Sequence, residues 1–182
     1  LFITRKSSIP FLRFEKQDLS SYSGLVVFQK LFSELNLSAR LSKCSPNTEV
    51  NGHTSYSLLF RLLIVHVLIG MRKLREVDLY REDPMVKRVL GVQALPSVAT
   101  MSRLLDRCDQ RSTEGLQQQS RDLVLQRLGS ESLATVTLDF DGSVISTTRK
   151  AEGVATGYNK KKGMRSYYPL FCTVAQSGQI LD

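Results

Sequence analysis

The stretch Leu133-Ala-Thr-Val-Thr-Leu-Asp-Phe-Asp141 divides the chain into two kinds of sequence. It alternates with period two. Val136, Leu138 and Phe140 fall on one face, and Thr135, Thr137, Asp139 and Asp141 on the other, the pattern of a strand. Downstream, Thr148 to Arg165 reads as a loop rich in glycine and lysine. Tyr167-Tyr-Pro-Leu-Phe-Cys-Thr-Val-Ala175 reads as a second strand, Gln176 to Gln179 as a turn, and Ile180-Leu181 as the start of a third strand. The last two would form a hairpin.

Upstream of Ser130 the period is helical. Leu25, Phe28, Leu31, Phe32 and Leu35 recur at three- and four-residue steps, with Ser23 as the expected N-cap. Ser42 to Gly52 has turn chemistry. A near-continuous apolar run predicts a central helix over Ser57 to Met71. Asp83-Pro84 marks a helix start and Gly91 a stop. Leu95-Pro-Ser97 opens another helix, with Val98, Met101, Leu104, Leu105 and Cys108 on one side, and a last helix is expected over Glu114 to Leu128. The expected fold class is therefore α+β: a helical bundle over residues 1–130, then one strand plus a hairpin over 131–182. So small a sheet predicts that the intact protein continues beyond Asp182.

Composition narrows the function. Hydrophobic residues are 42% and charged residues 23% of the 182, enough for a folded core. Lys and Arg number 25 against 17 Asp and Glu, a formal charge of +8 that favours a polyanionic partner. Cys44, Cys108 and Cys172 fit neither a zinc knuckle nor a small disulfide scaffold and point to a reducing compartment. His53 and His66 cannot build a histidine-rich metal site, and His66 reads as a core histidine. The longest apolar run, Leu58 to Ile69, is too short for a membrane span, and Arg61 and His66 interrupt it.

Two features carry chemistry. Asp139 and Asp141, at i and i+2 of a strand, project from one face, and their repulsion calls for a cation or a shared proton. Hard divalent cations such as Mg²⁺ take such oxygen ligands, and a two-ion site can serve both oxygens of a phosphodiester exchange. A solvated, exposed strand is the plain alternative. The second feature is Arg149 to Arg165, with Arg149, Lys150, Lys160, Lys161, Lys162 and Arg165 against Glu152 alone, three glycines, and Tyr167 and Tyr168 directly after. Such a segment can follow a phosphate backbone and offer aromatic rings to bases. A solvated lysine loop is its plain alternative.

With these residues assembled, the chain resembles a bacterial insertion-sequence transposase of the DDE type, in the group named for insertion sequence thirteen-eighty. Thr137-Leu-Asp-Phe-Asp-Gly-Ser-Val144 is similar to that group's first catalytic strand. Gly157-Tyr-Asn-Lys-Lys-Lys-Gly-Met-Arg-Ser-Tyr-Tyr-Pro-Leu170 is close to its Gly-Tyr-Asn…Ser-Tyr-His-Pro-Leu segment, with Tyr168 where His is common. Leu79-Tyr-Arg-Glu-Asp-Pro84 and Leu95-Pro-Ser-Val-Ala-Thr-Met-Ser-Arg103 resemble two further elements. The resemblance implies a helical DNA-binding domain before a catalytic domain of ribonuclease H-like fold. It also implies cleavage and strand transfer at element ends, with two Mg²⁺ ions held by Asp, Asp and Glu. The first catalytic Asp falls on Asp141, with Asp139 beside it as a further candidate ligand. The DNA-contacting candidates are Arg149, Lys150, Tyr158, Asn159, Lys160, Lys161, Lys162, Arg165 and Tyr167. Double-stranded DNA is the implied partner, with a homodimer in the DNA complex, no membrane, and a bacterial cytoplasmic, nucleoid-associated location. The second Asp and the Glu have no match, so the expectation is a truncated front portion, inactive alone.

Two rivals compete. Leu138-Asp-Phe-Asp-Gly-Ser143 also looks like the nucleophile motif of a haloacid dehalogenase-type phosphatase, with Asp139 attacking and Asp141 as acid and base. Only 41 residues follow Asp141, too few for that family's later motifs. The other rival is a DNA-binding remnant without chemistry.

Overall fold

A computed structural model describes residues 19–46, 55–131, 133–147, 152–157 and 165–181. The helices are α1 (Val26–Glu34), α2 (Leu37–Ser42), α3 (Tyr56–Leu68), α4 (Pro84–Leu90), α5 (Val98–Leu105) and α6 (Gln110–Ser130), with 3₁₀ turns at Ser23–Leu25 and Leu74–Leu79. The strands are β1 (Leu138–Gly142), β2 (Ile145–Ser146), β3 (Ala155–Thr156), β4 (Arg165–Tyr167), β5 (Leu170–Val174) and β6 (Gln179–Ile180). Helices and sheets are segregated along the chain, which makes the fold α+β.

α3 is the centre of the helical part. Leu59, Leu62 and Val65 are fully buried and pack in one cluster with Leu37 and Leu41 of α2, Val86 and Leu90 of α4, and Met101 and Leu104 of α5. Each such side chain contributes roughly 1.5–3 kcal/mol by leaving water. The helix starts one residue earlier than the apolar run suggests, because the Ser55 hydroxyl accepts from the Leu58 N–H at 3.1 Å. Ser57 is buried instead, and its hydroxyl bonds the Ser38 carbonyl at 2.9 Å. The helix also stops three residues short of Met71. Gly70 turns at φ +85°, and the Met71 N–H closes back on the His66 carbonyl at 3.0 Å.

α4 matches its sequence signals. Asp83 Oδ1 accepts from the N–H groups of Met85 and Val86, Pro84 occupies the first turn, and Gly91 ends the helix at φ +69°. Ser97 likewise caps α5 through the Thr100 N–H. Ser23 is not an N-cap: it lies in the 3₁₀ turn that precedes α1. α6 begins four residues before the expected Glu114, because Asp109 caps it through the Ser112 N–H. It runs two residues past the expected Leu128, to Ser130.

The β part differs more from expectation. A single strand plus a hairpin is replaced by two three-stranded antiparallel sheets, ordered β1-β5-β6 and β2-β4-β3. The expected strand Tyr167–Ala175 is split: β4 belongs to one sheet and β5 to the other. Pro169, which has no N–H to donate to a ladder, sits at the break. β3 lies inside the stretch expected to be wholly loop. β1 covers only the second half of the alternating stretch and pairs with β5 from Leu138↔Val174 to Gly142↔Leu170. The β5–β6 hairpin is present, turned by Gly178 at φ +68°. Among the described residues no helix is long and apolar enough to cross a membrane.

Candidate functional site

In the β1–β5 ladder Asp139 stands opposite Thr173 and Asp141 opposite Phe171. Directly opposed residues share a face, so both carboxylates lie on one side of the sheet with Thr173 and Phe171. Leu138 and Phe140 lie on the other side, opposite buried Val174 and Cys172. Both aspartates are exposed, and neither has a hydrogen-bond or ion-pair partner among the described residues. Strand rise puts the two side chains about 7 Å apart at their origins.

Water-accessible carboxylate oxygens on one face are the donor chemistry that a hard divalent cation takes, so this part of the site fits Mg²⁺. Two side chains are not a complete set. Among the described residues no group of three or more His, Cys, Asp or Glu side chains gathers.

The second candidate feature is partly described. Arg149, Lys150, Tyr158, Asn159, Lys160, Lys161 and Lys162 lie outside the described residues. Arg165 and Tyr167 begin and end β4, two residues apart and therefore on the same face, and both are exposed. Ser166 between them is fully buried, and its hydroxyl bonds that of Ser146 on β2 at 3.2 Å. The buried serine thus fixes which way the cation and the ring point.

The two features are joined by short connectors. Ser143 and Val144 link β1 to β2, and Tyr168 and Pro169 link β4 to β5. The connectors are tied together by the Ser143 N–H donating to the Pro169 carbonyl at 2.9 Å. Gly157 explains part of the Gly-Tyr-Asn motif: a β carbon there would lie 2.6 Å from the Tyr168 hydroxyl, so the backbone lies against the ring. Sequence reading did not anticipate this contact, although the glycine and the tyrosine were both visible.

His66 and Cys172 take the structural roles read for them. Both are buried, and His66 Nδ1 lies 2.6 Å from the Tyr80 hydroxyl. The polar lining of a cavity beside Arg61 was missed, because its residues come from α1, the link to α2, and α2 itself, and share no sequence motif.

No curated protein and no solved structure matches the chain. A family model described as transposase DDE domain group 1 matches residues 5–182, and so takes in the Asp139–Ser143 motif that the phosphatase reading would also claim. By that match over nearly its whole length, the chain belongs to the DDE transposase domain family.

Proposed function

We propose that this chain supplies the front of a Mg²⁺-dependent DNA-strand-transfer site of the thirteen-eighty group, on a ribonuclease H-like frame. The observation that carries the reading is the pair of exposed carboxylates of Asp139 and Asp141 on one face of β1, without a partner among the described residues. Family membership makes DNA the partner. The basic segment Arg149–Arg165 agrees with a polyanion, and the reading places the protein on duplex DNA in the bacterial nucleoid.

Asp141 would hold the metal, with Asp139 as its neighbouring ligand. The chemistry a bound Mg²⁺ supplies is positive charge for the attacking and leaving oxygens of a phosphodiester. Arg165 would neutralise a backbone phosphate, and Tyr167 on the same face would stack on a base or a sugar. Ser166 orients both through its buried hydroxyl. The helical layer would position DNA rather than react with it.

Mn²⁺ titration followed by nuclear magnetic resonance tests the reading without requiring turnover. Broadening should centre on Asp139 to Asp141 and disappear in Asp141→Asn, with the β5 signals otherwise retained. Broadening that is scattered over the surface, or unchanged in the variant, would remove the metal role.

A further inference from the structure

Arg61 is the one cation on the apolar helix α3. Its Nη1 donates to the Leu90 carbonyl at 3.2 Å, while its Nε is buried without a hydrogen-bond partner. No carboxylate pairs with it among the described residues. Burial disfavours the charged form and pulls its pKa down from the usual value. A charge removed from water without a counter-charge is costly, as is a buried donor left unmade.

The side chain borders a cavity of about 280 Å³ between α1, α2 and α3. Besides apolar Phe32, Leu37 and Val89, the lining is Gln29, Ser33, Asn36 and Ser38, with no acidic residue among the lining side chains. Ser33 and Asn36 are exposed at the rim, so the cavity is open to solutes. Asn36 adopts a left-handed conformation at φ 48°, and its side chain caps no helix. The Ser38 hydroxyl already bonds that of Ser57 at 3.2 Å, which leaves the Ser33 hydroxyl and the Gln29 and Asn36 amides as donors beside the guanidinium, a set that suits the several oxygens of a tetrahedral oxyanion.

We propose that the Arg61 cavity is a phosphate-binding site, taking either a free phosphate or a phosphodiester of bound DNA. It is separate from the aspartate pair and does not depend on the reading given to that pair. The bond to Leu90 by itself would make Arg61 a stabiliser of the α4 terminus. Phosphate dependence separates the two roles.

The test is thermal unfolding of the full chain in inorganic phosphate against chloride at equal ionic strength and pH. Phosphate several-fold above its Kd should raise Tm by about 2–4 °C. Arg61→Met should abolish that increment, and Asn36→Gly, which keeps the left-handed backbone open, should weaken it. If Arg61→Met does not fold, Asn36→Gly combined with Ser33→Ala carries the test. Duplex-DNA affinity then separates the sources. A phosphodiester occupant predicts weaker DNA binding in the variant and competition by free phosphate, whereas a free anion predicts unchanged DNA affinity. Equal Tm in both salts, or a full phosphate increment in the variants, would overturn the site.

Discussion

His66 on α3 and Tyr80, just after the second 3₁₀ turn, face each other across the core with Nδ1 and hydroxyl 2.6 Å apart, both residues buried. The other ring nitrogen, Nε2, is buried without a hydrogen-bond partner. Burial pushes the His66 pKa below its ordinary 6.5, partly offset by the Lys73 backbone and the Glu76 carboxylate. The unfolded chain therefore binds the proton more readily than the folded one. Stability should be complete above pH 6.5 and should fall as pH drops through 6.5 toward the lower folded-state value. His66→Gln should flatten the Tm–pH slope in that window, and an unchanged slope would assign the acid sensitivity elsewhere. Tyr80→Phe should cost about 1–3 kcal/mol by urea unfolding, because it strands the imidazole nitrogen.

Gly115 is an interior residue of α6, where Ala would ordinarily gain about 0.5–1 kcal/mol. A β carbon there would lie 3.1 Å from the Cys44 α carbon, which belongs to a fully buried residue. Crowding should win. Gly115→Ala is expected to lose about 1 kcal/mol net in urea unfolding, and Gly115→Val to lose about 1–3 kcal/mol. A more stable Gly115→Ala would show that the Cys44 backbone yields easily.

Asp83 serves two ends at once. Its Oδ1 accepts from Met85 and Val86 and also from the Ser20 hydroxyl at 2.8 Å. Asp83→Ala should cost about 1–2 kcal/mol, and Asp83→Asn should retain most of the cap. Thermal unfolding of the two variants side by side checks the ordering.

Duplex-DNA affinity should fall steeply with salt if the basic segment follows the backbone. Converting Lys160, Lys161 and Lys162 to Gln should reduce the slope of log K against log salt by up to about 3. An unchanged slope would take the segment out of the interface.

Legibility followed the range of the interactions. Asp83-Pro84 through Gly91 could be read because cap, proline and stop are chemistry between residues a turn apart. Asp109 was passed over as a cap, although its neighbour Ser112 was visible, because the helix behind it is polar and gives the eye no apolar stripe to begin at. α2 went unread between the first apolar stripe and the Ser42–Gly52 loop: six residues are too few to show a period. β3 is two residues long and owes its existence to pairing with β4. The aspartates' shared face could be read from alternation alone. Their exposed surroundings could not, since they depend on what β5 places opposite. Phe140, read simply as an apolar-face residue, is 65% exposed, because the alternation says which side a residue takes and nothing about what covers that side.

The break at Pro169 has a mechanical consequence. Each ladder ends within three peptide links of the next, a span of at most about 11 Å, and the two crossings are stitched by the Ser143 amide. The sheet bearing Arg165 and Tyr167 is therefore tethered to the one bearing the aspartates and cannot drift away from it. On the proposed function, a nucleic-acid strand held by the first would lie within reach of the second by the chain's own covalent length.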